Sequence, residues 1–317
     1  MLTEVLLGSR RWTRSERARL YFVGVLLIAL LPLSSDVALG RSVSRRFSDE
    51  SRNNAVGRSP ERRWQLTWSD EFSGPQSLRK WTFFVGGSTQ REAQLEWYDR
   101  NNVAISKRGQ LVVTASDHGY GHECWYGHCQ YTSARMETRG IFSQAYGRFE
   151  ARIKLPVGQG IWPAFWLEGA NVDAVPWPLF GEIDIIEKNG HKPGTVEGFA
   201  HGPDRSHDAY LMTGRKLSSG YHIYGVDWTP RGITWFFDGR AYSHLTAYPN
   251  WPFDHKFFLI IDLAVGGRCP GPPNASTRFP VHMLVDWVRV YRAVTSPGAS
   301  GRAPPAVQSQ VWLQARY

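Results

Sequence analysis

GRFEARIKL, residues 147–155, alternates apolar and charged residues with a period of two. The apolar positions are Phe149, Ala151, Ile153 and Leu155, and the charged ones are Arg148, Glu150, Arg152 and Lys154. Successive side chains of a β-strand point to opposite faces, so the pattern predicts a strand with one buried and one solvated face.

Further segments of the same kind lie on both sides of this one. They are rich in β-branched and aromatic residues, and Gly, Pro, Asn or Asp separate them. The segments are LVVTAS (111–116), TWFFDG (234–239), KFFLIIDLAV (256–265) and VDWVRVY (285–291). No window of a dozen residues shows a helical period with caps at both ends. The chain is therefore predicted to be all-β, with two stacked antiparallel sheets forming a sandwich.

Three carboxylates interrupt an otherwise apolar strand at EIDIIE, residues 182–187. Strand geometry places Glu182 and Asp184 on one face, whereas simple alternation would place Glu187 on the other. A β-bulge at Ile185–Ile186 would return Glu187 to the acidic face, and bulges do re-aim side chains beside active sites. The sequence therefore predicts a bulge and three acids on one face.

Clustered carboxylates in a strand are costly to bury, so they indicate a reaction or a metal. Retaining sugar hydrolysis needs two acids beside the glycosidic bond. Glu182 would be the nucleophile, Glu187 the acid/base, and Asp184 would assist by hydrogen bonding and like-charge repulsion. Two alternatives stay open at this point, namely solvent-facing acids on an edge strand and calcium ligands.

The net charge of +9 is concentrated outside the predicted sandwich. Residues 1–63 contribute +6 and residues 293–317 contribute +2, which leaves +1 for residues 64–292. A nucleic-acid-binding domain needs a basic surplus of its own, so this class of partner is excluded.

The N-terminal residues 1–40 have the organisation of an export signal. Five arginines within residues 10–19 precede the apolar run 20–33, and small residues end at Gly40. This predicts secretion or a periplasmic location, with an uncleaved membrane anchor as the alternative. Residues 41–63 are predicted to be a flexible linker, residues 64–292 the catalytic domain and residues 293–317 a disordered tail.

The chain has three cysteines, and an exported protein meets an oxidising compartment. Cys124 and Cys129 could close a short loop as a disulfide, and free thiols or a metal site with neighbouring histidines are the alternatives. Cys269 is left over, and we expect it to be a small buried hydrophobic residue.

Several segments together resemble glycoside hydrolase family 16, in particular its laminarinase-like endo-β-1,3-glucanases. They cover roughly residues 64–292 and are, in order, WSDEFSG (68–74), YTSARMETRGIFSQAYGRFEARIKLPVGQGIWPAFWLEG (131–169), GEIDIIEKNG (181–190), HGP (201–203), DLAVGG (262–267) and VDWVRVY (285–291). The resemblance implies a concanavalin A-like β-jelly roll with a glycan cleft on its concave sheet. It also implies retaining hydrolysis of β-1,3 or β-1,3-1,4 glucans.

By position in the family, Glu182 matches the nucleophile, Asp184 the assisting acid and Glu187 the acid/base. The resemblance places four further residues in the cleft as substrate-binding residues: Trp162, Trp166, Arg135 and His201. Ordinary structural roles are the alternative for each of the four. Another glycan as substrate, such as agarose or carrageenan, or a non-catalytic glucan-binding role, also stays open.

The resemblance implies no catalytic cofactor, a polysaccharide substrate, no protein partner and a monomer. Many relatives carry a structural calcium, for which Glu71 and Asp286 are candidate ligands. Two departures affect specificity rather than catalysis. Ala93 stands where the family commonly has Asn, and Arg268-Cys269 replaces the usual aromatic after a double glycine.

Overall fold

The computed structural model describes residues 63–294. The predicted export signal, the linker up to residue 62 and the tail beyond residue 294 lie outside the described residues. The first strand begins at Arg63, which pairs with Val294 at the end of the last strand. None of the helices in the described range is long and apolar enough to cross a membrane.

Strands make up most of the described chain, as the sequence predicts. The first ten are β1 (Arg63–Asp70), β2 (Thr82–Phe84), β3 (Gly86–Gly87), β4 (Glu96–Tyr98), β5 (Val103–Ile105), β6 (Leu111–Ala115), β7 (Glu123–Cys124), β8 (Gly127–His128), β9 (Tyr131–Ser133) and β10 (Arg135–Glu137). The others are β11 (Gly147–Lys154), β12 (Ile161–Gly169), β13 (Glu182–Glu187), β14 (Thr195–His201), β15 (Ser206–Met212), β16 (His222–Thr229), β17 (Gly232–Phe237), β18 (Arg240–Thr246), β19 (Phe257–Val265) and β20 (Val281–Val294). Short 3₁₀ helices span Pro75–Lys80, Arg100–Asn102 and Leu217–Ser219.

Two large antiparallel sheets contain most of these strands. The eight-stranded sheet has the order β18-β17-β16-β11-β20-β6-β5, with β1 paired to the C-terminal half of β20. The seven-stranded sheet has the order β15-β14-β13-β12-β19-β10-β2, which places β13 near its middle. The predicted all-β sandwich of two stacked antiparallel sheets is confirmed.

The core lies between the two sheets and follows the alternation of the sequence. On β11, Phe149, Ala151 and Ile153 are fully buried, and on β13 Ile183 is fully buried too. The charged face of β11 points away from the core, where Arg148 forms an ion pair with Asp227. The period-two pattern thus separates buried from solvated side chains as predicted.

Cys124 and Cys129 form a disulfide, which resolves the alternatives left open by the sequence. The bridge closes the small β7–β8 hairpin, and the Nε1 of Trp125 in its turn donates a hydrogen bond to Gln94 O at 2.7 Å. The expectation for Cys269 is wrong, because its side chain is exposed. Cys269 lies in the Gly- and Pro-rich loop after β19, where its backbone oxygen accepts a hydrogen bond from Asn189 Nδ2 at 3.3 Å and its side chain faces the surface.

Candidate active site

The outer face of β13 presents the carboxylates of Glu182 and Asp184. Side chains directly opposite one another in an antiparallel pair share a face. Glu182 is opposite Glu168 on β12 and His201 on β14. Asp184 is opposite Trp166 on β12, so these five side chains form one surface on the sheet face that points away from the core.

The predicted bulge in β13 is confirmed. In the pairing with β12, Ile186 is opposite Phe165 and Asp184 is opposite Trp166, so Ile185 has no partner. Both isoleucines are buried, with exposures of 1% and 0%. The extra residue therefore returns Glu187 to the face of Asp184, as bulges do when they re-aim a strand.

Contacts from the eight-stranded sheet hold the bulge in place. The indole Nε1 of Trp235, on β17, donates a hydrogen bond to the backbone oxygen of Asp184 at 2.9 Å. Gly198 on β14 makes room for this indole, since a Cβ at Gly198 would lie 2.7 Å from Trp235. The backbone carbonyl at the bulge would otherwise lack a partner in the core, which would cost free energy.

Burial raises the pKa of all three acids, and the neighbouring carboxylate charges raise those of Glu182 and Glu187 further. Burial is the largest cause for Glu182, followed by the charge of Asp184, and together they raise its pKa to about 8. Burial also raises the pKa of Asp184, and burial with the charges of Asp184 and Glu182 raises that of Glu187 well above its ordinary value. Ionisation of one acid thus favours the protonated form of the others, which is what an acid/base pair requires.

His201 and Trp177 contact the first two acids. The Nε2 of His201 lies 3.4 Å from Asp184 Oδ2 and 3.8 Å from Glu182 Oε1. The Nε1 of Trp177, in the loop before β13, donates a hydrogen bond to Glu182 Oε2 at 3.0 Å. Apart from this 3.4 Å contact with His201, the carboxylate oxygens of Asp184 have no hydrogen-bond donor among the described residues, although the side chain is only 1% exposed. Asp184 therefore depends on His201 for stabilisation of its ionised form, and it can accept a further hydrogen bond from a ligand.

The predicted cleft residues Arg135 and Trp166 lie on the same face and contact each other. The Arg135 guanidinium stacks 4.7 Å above the Trp166 ring and forms ion pairs with Glu137 and Glu168. Trp166 Nε1 donates a hydrogen bond to Asp262 Oδ1 at 2.7 Å. Both side chains are therefore held in fixed positions by neighbours on the same sheet.

Trp162 is at the other end of β12 on this face. It is opposite Ala264 on β19, and its ring approaches the loop that follows β19. A Cβ at Gly267 would lie 2.7 Å from the Trp162 ring, so glycine is needed for this close approach. The fold thus brings all seven predicted catalytic and substrate-binding residues to one face of the seven-stranded sheet.

The two predicted calcium ligands do not form a site together. Both carboxylate oxygens of Glu71 accept hydrogen bonds from Arg289, at 2.9 Å each. Asp286 Oδ2 lies 2.6 Å from Arg152 Nη1. Each acid thus has a guanidinium partner that compensates its charge, and the side chains as arranged do not fit a shared calcium ion.

The described residues contain one group with metal-ligand spacing, and it belongs to the acidic face. One ligand atom each from Glu182, Asp184 and His201 lies within 4.8 Å of the others. An imidazole with two carboxylates suits zinc or another transition metal rather than calcium, which prefers oxygen ligands. The same three groups serve acid–base chemistry without a metal.

Glu168, Asp262 and Trp177 were missed by the sequence analysis. Burial is the largest cause that raises the pKa of Glu168, to about 7, and that of Asp262, to about 6. Period two along β12, from Trp162 through Trp166, leads directly to Glu168 and could have identified it. Trp177 lies in a loop, and no local pattern predicts that its indole reaches Glu182.

We expect replacement of His201 by asparagine to shift the acidic limb of the pH–rate profile to higher pH. His201 lowers the pKa of Glu182 and Asp184, because its positive charge stabilises both carboxylates. Burial lowers the pKa of His201 itself, but its contact with Asp184 and the charges of Asp184 and Glu182 leave that pKa above the ordinary value. Without the imidazolium, the nucleophile Glu182 loses its proton only at higher pH, so the rate rises at higher pH than in the wild type. The measurement is kcat/KM against pH.

The charge of Asp208 on β15 also raises the pKa of His201, but less than Asp184 and Glu182 do. The Oγ of Ser206 lies 3.0 Å from His201 Nδ1. His244→Asn on β18 is the matched control, since the hydrogen bond that His244 makes within residues 63–294 goes to Thr234 on the other main sheet. An unchanged acidic limb in His201→Asn would contradict the assigned electrostatic role.

Paired carboxylates beside aromatic side chains on one sheet of a β-sandwich define a site of the glycosidase class. The comparisons agree with that class. The sequence model described as glycosyl hydrolases family 16 matches residues 84–288. The chain belongs to this family.

Related proteins and solved structures with 30–39% sequence identity align with about three quarters or more of this chain. A β-glucanase of Rhodothermus marinus is 38% identical over 73% of this chain and 86% of its own length. The solved structure of the laminarinase catalytic domain from Thermotoga maritima has a TM-score of 0.68 and 39% identity, covering 73% of this chain and 99% of that chain. An endo-1,3-1,4-β-glycanase, EglC, of Rhizobium meliloti is 30% identical over 80% of this chain, which spans 53% of that protein.

Proposed function

We propose that the protein is a retaining endo-β-1,3-glucanase that cleaves internal linkages of glucans such as laminarin. The bulge in β13 is the observation that carries this proposal, because it returns Glu187 to the face of Glu182 and Asp184. The names of the relatives supply the substrate class. A retaining mechanism needs two carboxyl groups close together that flank the scissile bond, one to attack the anomeric carbon and one to protonate the leaving oxygen.

Each catalytic step uses a group on this face. Glu182 attacks the anomeric carbon and forms the covalent glycosyl-enzyme, while Glu187 gives its proton to the leaving oxygen. Glu187, now ionised, takes a proton from the water that releases the sugar from Glu182. Asp184 and His201 set the ionisation of Glu182 through their contacts with it.

Arg135 and the tryptophans orient the sugar. An indole covers the flat C–H face of a pyranose with a large rigid apolar surface, which suits Trp162 and Trp166. The guanidinium of Arg135 supplies donors for sugar hydroxyls. The enzyme needs no cofactor for these steps.

The decisive experiment is a product profile of the purified protein on laminarin, mixed-linkage glucan, agarose and carrageenan. We expect laminarin to be cut rapidly to short oligosaccharides, with the β-anomer formed first in a proton NMR time course. EDTA is expected to leave the rate unchanged. Cleavage of agarose or carrageenan without cleavage of laminarin would overturn the proposed substrate.

A mixed-linkage β-1,3-1,4 glucan is the second candidate substrate. The observation in its favour is the similarity to a relative whose name includes both linkages. The same panel decides between the two glucans by the ratio of their kcat/KM values.

The proposal includes export of the mature enzyme as a monomer without a protein partner. The arginine-rich start, the apolar run and the small residues ending at Gly40 support secretion or a periplasmic location. N-terminal sequencing of protein from the culture medium and from membranes separates a cleaved signal from an anchor.

A further inference from the structure

A row of aromatic side chains continues the acidic face toward the edge of the sheet. His201 is opposite Glu182, and Phe199 on the same strand is opposite Asp184. The rings of His201 and Phe199 are stacked with centroids 5.9 Å apart. The ring of Tyr210 on β15 contacts Phe199 edge to face at 5.8 Å and 88°. The row therefore runs from the catalytic strand to β15, the last strand on that side of the sheet.

Strand register places Tyr210 on the same face as Glu187. Glu187 is opposite Glu197 on β14, and Glu197 is opposite Tyr210 on β15. Residues directly opposite share a face, and two strand spacings amount to about 10 Å. Tyr210 thus lies two strands from the proposed acid/base, at the Glu187 end of β13 rather than the Glu182 end.

A cavity of about 560 Å³ opens beside this tyrosine. Tyr210, Met212 and Pro193 supply its apolar wall, and Lys192 and Glu197 supply its charged groups. Its volume lies within the range of small-molecule sites, which is about 300–1,000 Å³. The cavity has room for at least one sugar residue.

Two features of the wall suit a neutral sugar. Tyr210 is 53% exposed and Met212 75% exposed, which leaves an apolar surface for the C–H face of a pyranose. The Nζ of Lys192 lies 3.1 Å from Oε1 of Glu197, whose side chain is 4% exposed. Because the pair neutralises its own charge, it offers donors and acceptors to hydroxyl groups without favouring a charged ligand.

We propose that Tyr210 and this cavity form an outer subsite for the leaving-group side of a β-glucan chain. The inference rests on the proposed function, since Glu187 protonates the leaving oxygen and the departing sugars therefore lie on its side. The subsite favours long substrates over short ones and holds the departing oligosaccharide after cleavage.

The test compares two substrates with the Tyr210→Ala variant. Laminarin places sugars on both sides of the scissile bond, whereas an aryl β-laminaribioside has no sugar on the leaving side. We expect kcat/KM for laminarin to fall about five- to tenfold, on the scale of one lost aromatic contact, and that for the aryl glycoside to stay unchanged. Tyr210→Phe keeps the aromatic ring, so its kcat/KM should stay close to the wild-type value for both laminarin and the aryl glycoside.

Controls separate this subsite from a structural effect. Tyr210 is half exposed, so its variants should unfold at the wild-type temperature. Tyr221→Ala is the matched aromatic control, because Tyr221 stacks on Arg152 of the eight-stranded sheet at 4.6 Å. Equal losses on both substrates, or no loss on laminarin, would overturn the subsite. A wild-type protein that fails to cleave laminarin would instead overturn the proposed function.

Discussion

Replacing Glu182 by glutamine should abolish turnover while leaving glucan binding intact. The amide cannot attack the anomeric carbon, so kcat should fall by about 10⁴-fold or more, on the scale seen when the nucleophile of another hydrolase is removed. The amide oxygen can still accept the hydrogen bond that Trp177 Nε1 donates to Glu182, so the local structure should persist. Reducing-sugar release gives the rate, and calorimetric titration with laminarihexaose gives the binding.

The same variant should be at least as stable as the wild type at pH 8. The pKa of Glu182 is raised to about 8, so between its unfolded value near 4.5 and 8 the folded state binds more protons than the unfolded state. The contribution of this acid to stability is therefore lost as pH rises through that window, and an uncharged amide removes the loss. Glu123→Gln, at an exposed position of the β7–β8 hairpin, is the control. Substantial activity in purified Glu182→Gln would refute the nucleophile assignment.

Replacing Glu187 by glutamine should slow the cleavage of laminarin by about 10²–10⁴-fold, the usual contribution of general acid–base catalysis. The loss of rate should depend on the leaving group. A nitrophenolate leaves without a proton, so the rate at which a nitrophenyl glycoside forms the glycosyl-enzyme should stay close to that of the wild type. This first step should appear as a burst of released nitrophenolate. The second step still lacks its base, so steady-state turnover stays slow.

Azide provides a diagnostic test of this assignment. The anion attacks the glycosyl-enzyme without needing a base, so millimolar azide should restore turnover of the aryl glycoside and give a β-glycosyl azide. Glu182→Gln has no covalent intermediate of this kind and should not respond in the same way. An α-glycosyl azide, or no response to azide in Glu187→Gln, would contradict the proposed roles.

Local patterns in the sequence were sufficient to predict which face of the catalytic strand each acid occupies. Alternation with period two placed Glu182 and Asp184 together, and the bulge at Ile185–Ile186 was predicted because it returns Glu187 to their face. The confirmed register shows why this worked, since Ile185 and Ile186 are both buried and the strand can satisfy that burial only by gaining a residue. Side-chain direction in a strand is a local property.

The surroundings of the acids were harder to predict. Glu168 follows the same alternation on β12 as Trp162 and Trp166, so its place on this face could have been found, whereas its position opposite Glu182 depends on strand pairing. Trp177 could not, because a loop conformation decides where its indole points. Local sequence also could not predict the exposure of Cys269 or the arginine partners of Glu71 and Asp286. Each depends on which distant segments pack together.

Two kinds of property can thus be separated in this protein. The sequence by itself determined the all-β class, the acidic strand with its bulge and the family, because alternation and motif spacing are written in consecutive residues. Only the tertiary structure decided which strands lie beside β13, and hence that His201, Glu168 and Trp177 surround Glu182 and that Tyr210 extends the face beyond Glu187. Those neighbours come from segments far apart in the chain, and their contacts exist only once packing of the two sheets has fixed the order and register of the strands.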